Sequence, residues 1–407
     1  MDRDLFKMAL ILGLMSTIGP FAIDMYLPAL PRIAGDLGVE AAAAQLTLTA
    51  YFVAFGVAQL FYGPASDMFG RKPPITFGII LFALASLGCA LAPTLETLSV
   101  LRFIQGLGAA GVMSVPRAII RDRYTGAKAT RLMSSIMLVI SISPMLAPLV
   151  GSLIIGPFGW RAVFVAVALA AAIAMLLHAL ALPETLAPER RKPFSLPSML
   201  ASFGKLARDP AFMGLTFIGG LGMSAFFTFL GSASFVYVDH FGLTANEFAL
   251  AFAANAAGFF LASQFAANLM ARLGPVRLMR TATFFYALFS GILFLSFAFG
   301  FGSFPLMVVL LILANTFFGF VMPASMVLAL EEHGPIAGAA ASLGGTLQML
   351  LASLAMAIGG LAFDGTPLPM LAVIATCSAG TFILALVTVR GRRATTAAAR
   401  SEEAPAE

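Results

Sequence analysis

Two ionisable side chains lie inside long apolar stretches of the sequence, where a charge is costly. Asp24 stands in the first apolar stretch after the N-terminus, and Arg102 stands in the fourth. Burial disfavours a charged carboxylate, whereas a nearby arginine favours it, so such a carboxyl can exchange a proton when its surroundings change. Asp24 and Arg102 are therefore the predicted proton-coupling residues. The alternative is a static ion pair that only holds two helices together.

A second group of charges interrupts the apolar sequence at GPASDMFGRK. Arg71 and Lys72 fit a short, positively charged turn between two membrane helices, but that interpretation leaves Asp67 unexplained. Gly70 permits the positive φ of a tight turn. Asp67 can accept hydrogen bonds from Arg71, and Asp122 is a further acid at the end of the fourth apolar stretch.

The composition indicates which elements must hold these residues. The chain has 407 residues, of which 60% are hydrophobic and 11% charged, and its mean hydropathy is +0.96. Soluble proteins carry about 25% charged residues. Apolar runs of about 20 residues, the length of a membrane-spanning helix, recur along the whole chain, and the alternating segments of a β-barrel are absent. The sequence therefore predicts an all-α polytopic membrane protein.

Glycine, proline and charged residues divide the chain into twelve predicted spans. Their bounds are 5–28, 44–66, 73–93, 97–120, 130–156, 159–182, 211–237, 245–271, 275–299, 303–330, 336–363 and 366–389. The predicted domains are an N-terminal six-helix bundle (1–182), a cytoplasmic linker (183–210), a C-terminal six-helix bundle (211–390) and a disordered cytoplasmic tail (391–407). Within the linker, SLPSMLASFGKLAR is typical of a short amphipathic helix at a membrane interface.

The distribution of positive charge predicts the orientation. An even number of spans puts both termini on one side, and 20 of the 24 lysine and arginine residues fall on that side. Because basic residues accumulate in cytoplasmic loops, both termini are predicted to be cytoplasmic. The same distribution explains the net charge of +5, so no nucleic-acid partner is expected.

The sequence does not indicate an enzyme or a metal site. It has no P-loop, no nucleophile with an adjacent base and no cysteine or histidine pattern with metal-ligand spacing. Cys89 and Cys377 are interpreted as inert buried thiols. Without an ATP-binding segment the energy must come from an ion gradient, so no cofactor is expected. One acid with an arginine favours protons over sodium, because sodium sites usually gather several oxygens.

Several motifs resemble those of one transporter family. GPASDMFGRK is similar to the G-x-x-x-D-x-x-G-R-K loop of the major facilitator superfamily, and LRFIQGLGAAG resembles the motif of its fourth helix, which has a buried arginine. SPMLAPLVGS resembles the helix-five motif of drug/proton antiporters through Pro144, Pro148 and Gly151, although it departs from the usual G-P-x-x-G-G. FAIDMYLPALP, QLFYGP, GWR and SLGGTLQ together resemble the Bcr/CflA branch, which includes bicyclomycin and chloramphenicol exporters.

The resemblance implies the major facilitator fold, with twelve transmembrane helices in two pseudosymmetric six-helix bundles that work by alternating access. It also implies that Asp67, Gly70, Arg71 and Asp122 form a charge latch, which holds the two halves together while the cavity faces outward. Protonation of Asp24 and drug binding would each favour a different step, and that competition is antiport. The implied location is the bacterial cytoplasmic (inner) membrane.

The substrate-cavity candidates are polar, aromatic or soft side chains in otherwise apolar spans. Three of them recur every four residues on one face of the second span. The full set is Tyr26, Tyr51, Phe55, Gln59, Gln105, Met113, Asn255, Gln264, Asn315 and Gln348. The alternative is that the polar members only join helices through hydrogen bonds.

The predicted function is proton-coupled multidrug efflux of small, neutral amphiphilic compounds similar to chloramphenicol, florfenicol or bicyclomycin. A single membrane acid argues against strong selection for cationic drugs. The expected partners are the drug, protons and the lipid bilayer, and the chain is expected to act as a monomer. A proton-coupled exporter of a metabolite, such as a sugar or an amino acid, is an alternative. A transport-dead membrane sensor is another, against which the intact Asp24, Arg102 and Asp67 argue.

Overall fold

The computed structural model describes residues 3–124, 126–191, 193, 195–331 and 333–402. This part of the chain is almost entirely helical and contains no strand, which confirms the predicted all-α class. Its α-helices, numbered in chain order, are α1 (Arg3–Asp24), α2 (Leu30–Leu37), α3 (Ala41–Phe69), α4 (Lys72–Leu91), α5 (Leu95–Arg123), α6 (Gly126–Phe158), α7 (Arg161–Ala181), α8 (Leu196–Ala207), α9 (Pro210–Ser234), α10 (Ala245–Leu273), α11 (Pro275–Ala298), α12 (Phe304–Glu331), α13 (Ala337–Leu361) and α14 (Leu368–Glu402).

Within the described residues, twelve spans are long and apolar enough to cross a bilayer, which confirms the predicted number. The chain is therefore a multi-pass membrane protein. A π-helical segment, Phe235–His240, extends α9 at its end. The short helix α8 forms where the linker was predicted to contain an amphipathic helix.

The first span is broken and longer than its predicted bounds of 5–28. α1 ends at Asp24, a 3-10 turn covers Leu27–Ala29, and α2 extends the span further. Pro28 and Pro31 stand at the starts of the second and third pieces, where a missing N–H is tolerated. Inside one continuous helix each proline would remove a hydrogen bond. The break therefore places Asp24 at the C-terminal end of α1.

The last helix also differs from the prediction. α14 continues to Glu402 and so includes the first part of the tail predicted to be disordered, 391–407. Alanine and arginine are strong helix formers, and ATTAAARSE contains neither glycine nor proline to end the helix. Residues 403–407 lie outside the described part of the chain.

The helices form two compact units whose bounds differ from the predicted halves. The first unit contains Met1–Ser195, Phe227–Ala256 and Ser353–Met370, and the second contains Leu196–Phe226, Ala257–Ala352 and Leu371–Glu407. The division does not follow the linker alone, because ends of α9, α10, α13 and α14 pack with the helices of the first half.

Glycines allow close helix packing in the first unit. A Cβ on Gly108 of α5 would lie 2.6 Å from the Gly78 carbonyl oxygen of α4, and a Cβ on Gly106 would collide with the Tyr51 carbonyl oxygen of α3. Small residues let helix backbones approach this closely. α5 therefore lies between α3 and α4 with its backbone against both, and this packing positions Arg102.

Polar contacts join helices of both sequence halves inside the first unit. The Ser152 hydroxyl of α6 donates to the Asn246 side-chain oxygen of α10 over 2.9 Å. The buried Gln45 of α3 accepts a hydrogen bond of 3.5 Å from Ser232 of α9. Side chains rather than chain connectivity therefore assign these ends of α9 and α10 to the first unit.

Aromatic packing and a histidine–carboxylate contact characterise the second unit. Phe259 of α10 stacks on Phe226 of α9 with 5.5 Å between ring centroids, and it packs on Phe318 of α12 at 5.4 Å. His333 Nε2 lies 3.0 Å from Asp209 Oδ2, just before α9 begins. These contacts tie α9 to α10 and α12.

Candidate functional site

Asp24 lies at the break in the first span and is 5% exposed. A helix C-terminus carries partial negative charge, so a second negative charge at this buried end is costly. α6 packs directly against the break, because a Cβ on Gly151 would collide with the Met25 carbonyl oxygen. The glycine of the helix-five motif therefore permits the approach that encloses Asp24, and Pro144 and Pro148 lie within the same helix.

Arg102 is fully buried in a cage of aromatic rings. Its guanidinium carbon lies 4.6 Å from the ring centroid of Tyr26, 4.5 Å from that of Tyr51 and 5.8 Å from that of Phe164. Aromatic faces attract cations, most strongly where water is excluded. The cage therefore compensates part of the cost of burying this charge.

Hydrogen bonds fix one side of the same guanidinium. Arg102 Nη1 donates to the Ala22 carbonyl oxygen over 3.3 Å and to the side-chain oxygen of Gln105. The amide nitrogen of Gln105 donates in turn to the Ser86 hydroxyl over 2.7 Å. Gln105, a predicted cavity residue, thus helps to hold Arg102 between α1 and α4.

Asp24 and Arg102 do not form an ion pair. The ion pairs within 4 Å among the described residues do not include these two, and the Asp24 side chain makes no hydrogen bond there. Arg102 Nε and Nη2 likewise have no hydrogen-bond partner in this part of the chain. The alternative of a static ion pair is therefore not supported, although Arg102 contacts the backbone two residues before Asp24.

The residues of the predicted charge latch lie together within the first unit. Arg71 Nη1 lies 2.6 Å from Asp67 Oδ1, and Arg71 Nε lies 2.7 Å from Asp122 Oδ2. The side chains of Arg71 and Asp122 are 4% and 7% exposed, whereas that of Asp67 is 50% exposed. Ser66 accepts a further hydrogen bond of 2.7 Å from Arg71. Arg71 is thus the centre of the cluster, and Asp122 is its buried partner.

Glu184 is a residue of this cluster that the sequence analysis missed. Its carboxylate accepts hydrogen bonds from the backbone N–H groups of Arg71 and Lys72, over 2.9 and 3.0 Å, and from those of Thr185 and Leu186, both over 2.9 Å. Partial burial alone would raise the pKa of Glu184, but these four hydrogen bonds lower it below its usual value. Glu184 therefore clamps the end of α7 onto the turn between α3 and α4.

Gly70 is required by this clamp for two reasons. Its φ is 94°, a region that residues with a Cβ rarely adopt. A Cβ at this position would also lie 2.6 Å from Glu184 Oε2. The sequence signal for Glu184 is its position in a Pro-Glu-Thr sequence directly after the sixth span. A charged, proline-containing sequence is also typical of an ordinary linker, so this signal is weak.

The predicted cavity residues of the first half divide into two groups. Tyr26 and Tyr51 are fully buried and serve the cage around Arg102. Phe55 is buried and stacks on Tyr51 at 6.4 Å between centroids. Gln59 and Met113 are half-buried. The structure thus brings the aromatic candidates together with the predicted proton-coupling arginine.

The predicted cavity residues of the second half occupy different environments. Asn255 is buried in the first unit, and Asn315 is buried in the second. Gln348 donates to the Thr216 carbonyl oxygen over 3.4 Å, which fits the alternative of a helix-joining hydrogen bond. Gln264 is exposed on the second unit.

Residues 12–360 match the Major Facilitator Superfamily. The chain is 33% identical over 374 residues to the uncharacterized MFS-type transporter YdgK of Bacillus subtilis (strain 168), covering 91% of this chain and 92% of the relative. It is 31% identical over 382 residues to a bicyclomycin resistance protein homolog of Haemophilus influenzae, covering 92% and 94%. A crystal structure of the nucleoside transporter NupG has the same fold, with a TM-score of 0.73 at 16% identity over 95% of this chain and 99% of that chain.

Proposed function

The chain belongs to the major facilitator superfamily, whose members are transporters and not enzymes, and from this premise we propose that it exports small, neutral amphiphilic drugs in exchange for protons. The similarity to a bicyclomycin resistance protein homolog supports a drug as the cargo. The proposed location is the bacterial inner membrane, with both termini in the cytoplasm, since 20 of the 24 basic residues lie on that side of the predicted spans.

The observation that carries this proposal is a buried carboxyl without a permanent cationic partner. Asp24 is enclosed at a helix end, and among the described residues no cation lies within 4 Å of it. A carboxylate locked in an ion pair would keep its charge through the transport cycle. A carboxyl free of such a partner can bind and release a proton instead.

Arg102 supplies the field that makes proton binding depend on conformation. Its charge is stabilised by aromatic rings at the break in the first span and on α3 and α7, so it does not need Asp24 for compensation. The interaction between two charges weakens with their separation and is stronger where water is excluded. A movement of α1 against α5 would therefore change the proton affinity of Asp24.

The cluster around Arg71 is proposed to act as the switch between orientations. Arg71 is almost entirely buried and bonded to two acids, so it can release either partner only if another group replaces it. The half-exposed Asp67 is the partner that is free to exchange, whereas Asp122 and Glu184 hold the arginine and its turn in place. In this proposal Arg71, Asp122 and Glu184 stay in place during the switch, and the Arg71–Asp67 pair is the contact that breaks.

A neutral cargo is favoured by the small number of acids in the spans. Among the described residues Asp24 is the one buried acid outside the cluster around Arg71, whereas Asp239, which also lies within a membrane span, is exposed. If Asp24 carries the proton, no other buried carboxylate outside that cluster remains in this part of the chain to neutralise a cationic drug. Aromatic and methionine side chains instead suit adaptable apolar binding.

Proton exchange in everted membrane vesicles tests the proposal. Vesicles with an acidified interior receive chloramphenicol, florfenicol or bicyclomycin, and internal pH is followed with a fluorescent dye. Wild type is expected to alkalinise the interior on drug addition, and Asp24→Asn is expected to abolish that response. Asp36→Asn is the matched control, because Asp36 is an exposed acid bonded to Trp160 and lies outside the proposed proton site.

The outcomes separate the alternatives. No response to any drug from a folded wild-type protein would contradict drug export and favour a metabolite as the cargo. A response that persists in Asp24→Asn would retain antiport but reject Asp24 as its proton carrier. An equal loss in Asp36→Asn would indicate general damage rather than a specific role of Asp24.

A further inference from the structure

One buried polar side chain of α3 connects the first half of the sequence to the second. Gln45 lies in the second turn of α3 and is 1% exposed. Its side-chain oxygen accepts a hydrogen bond of 3.5 Å from Ser232, near the end of α9. Since α3 belongs to the second span and α9 to the seventh, both helix ends lie on the side of the membrane opposite to the termini. Gln45 and Ser232 are both in the first unit.

Two glycines of the second half make room for the Gln45 side chain. A Cβ on Gly360 of α13 would lie 2.7 Å from the Gln45 side-chain oxygen, and a Cβ on Gly231 of α9 would lie 3.7 Å from it. Small residues let a neighbouring helix approach this closely. The amide group of Gln45 is therefore enclosed by the backbones of α9 and α13, both of which belong to the other half of the sequence.

Aromatic packing holds the same helices together. Phe52 lies seven residues, about two turns, after Gln45 and so on the same face of α3. Its ring packs on that of Phe227 of α9 with 4.1 Å between centroids, and each residue is 4% exposed. Removing these rings from water favours the contact. Gln45, Phe52, Phe227, Ser232 and Gly360 together form a closed contact between the two sequence halves, here called the gate.

The amide of Gln45 opposes the closure of this gate. Its nitrogen is buried and has no hydrogen-bond partner in the described part of the chain. The bond from Ser232 is at the long limit for a hydrogen bond and adds little. A buried donor without an acceptor is unfavourable, whereas the same group is hydrogen-bonded by water once the helices separate. Gln45 thus fills the gate and at the same time limits its stability.

We propose that Gln45 sets how readily the gate opens, because it carries an unsatisfied amide into an otherwise apolar contact between the sequence halves. The inference rests on the proposed function, since alternating access requires this contact to break and form again in each cycle. It adds to that function a residue that controls opening on the side where the drug is released. An apolar side chain of the same length would keep the gate closed for longer.

The competing explanation is that Gln45 stabilises the gate through its bond to Ser232. The two explanations predict opposite effects for Gln45→Met, which keeps an unbranched side chain of similar length but has no amide. If the amide opposes closure, this variant favours the closed gate; if the amide supports closure, it favours the open gate. Gln45→Glu is the reverse change, because a buried carboxylate is less favourable than a buried amide.

The test follows the labelling of a cysteine at position 152 by a membrane-impermeant maleimide. Ser152 is 5% exposed and is bonded to Asn246, a residue of the other sequence half, so it becomes accessible when the halves separate. The full-length protein is studied in nanodiscs of phosphatidylethanolamine and phosphatidylglycerol, where both membrane sides are open to the reagent. Every variant carries Ser152→Cys, with Cys89 and Cys377 replaced by alanine, so that one thiol reports.

The variants should separate in direction as well as in size. Gln45→Met should slow labelling about 5- to 150-fold, the effect of removing one unsatisfied buried donor. Gln45→Glu should accelerate labelling. Ser232→Ala is the matched control and should change the rate less than about threefold, because the bond that it removes is long. Misfolding cannot imitate the result for Gln45→Met, since an unfolded chain exposes the thiol and is labelled faster.

Unchanged or faster labelling in Gln45→Met would overturn the proposal. An effect of Ser232→Ala as large as that of Gln45→Met would also overturn it, because the hydrogen bond would then be responsible. The labelling needs neither drug nor proton gradient, so it is independent of the proposed function. Slower labelling in Gln45→Met, without drug-driven proton exchange in wild type, would reject drug export and retain the gate. Exchange in wild type with unchanged labelling in Gln45→Met would retain drug export and reject the role of Gln45.

Discussion

Replacement of Glu184 by glutamine gives the sharpest test of the cluster around Arg71. The Glu184 carboxylate accepts two backbone hydrogen bonds from its own turn and two from Arg71 and Lys72 across the chain. Glutamine has nearly the same size, but it keeps one acceptor oxygen and loses the charge. The change therefore removes part of the clamp without creating a cavity.

The size of the effect follows from the bonds that are lost. A hydrogen bond to a charged group contributes about 1.5–3 kcal/mol in a protected site. Because Glu184 is partly exposed, solvent screening lowers this toward about 1 kcal/mol for each bond. Glu184→Gln loses one of the two bonds to the α3–α4 turn and weakens the other. We expect about 1.4 kcal/mol in the local opening free energy, which is a factor of about ten.

Amide hydrogen exchange measured by mass spectrometry reports this opening directly. Pro73 and Pro74 carry no N–H, so a peptide that starts at Phe69 reports few amides besides those of Arg71 and Lys72. Exchange in this peptide should become about tenfold faster in Glu184→Gln. A matched control is Glu189→Gln, which removes the same charge from an exposed side chain with no hydrogen bond in the described part of the chain.

Exchange that stays within twofold of wild type would show that Glu184 does not hold the turn. Equal acceleration in Glu189→Gln would show that only the net charge of the segment matters. A peptide far from the clamp, such as one from α11, should be unaffected in both variants. Faster exchange there would indicate global destabilisation and contradict a local role.

The remaining predictions concern the same unit. Since the hydrogen bonds lower the pKa of Glu184, its contribution is present at neutral pH and is lost as the pH falls through its folded-state pKa. The difference in thermal midpoint between wild type and Glu184→Gln should therefore shrink below about pH 4. Asp122→Asn should lower the free energy of unfolding by about 2–4 kcal/mol, because it leaves the buried Arg71 with one acid. Asp67→Asn should lower it by less than about 1 kcal/mol, because Asp67 is half exposed. Denaturation curves measure both changes. Gly151→Ala should destabilise the fold by about 1–3 kcal/mol through overpacking and so lower the thermal midpoint, and an unchanged midpoint would refute the close packing of α6.

The sequence predicts the helices well because membrane spans have a strong physical signal. Twenty apolar residues without charge exclude most other structures, so the number of spans follows from hydropathy alone. Their ends are less certain, as the first span shows. Its continuation into α2 depends on prolines that act as helix starts rather than helix stops, and both roles are compatible with the same residues.

The candidate site is predictable where a charge stands alone against an apolar background. Asp67, Arg71 and Asp122 are conspicuous for that reason, and the structure brings them together. Glu184 is not conspicuous, because it begins a segment with many charges and prolines. Its role depends on the backbone N–H groups of another loop, and a sequence carries no local signal for such a partner.

Arg102 shows why residue types alone do not determine a charge pairing. From the sequence, a static ion pair between an acid and a base in apolar spans is the alternative to proton coupling, because each charge is costly alone. In the fold, three aromatic faces, the Ala22 carbonyl oxygen of α1 and the Gln105 side chain of its own helix surround Arg102 instead. Those rings stabilise the guanidinium without a carboxylate partner, so Asp24 is not needed as a permanent counter-ion. A transporter that uses an acid for protons requires this separation, since a fixed ion pair would hold the acid in one charge state.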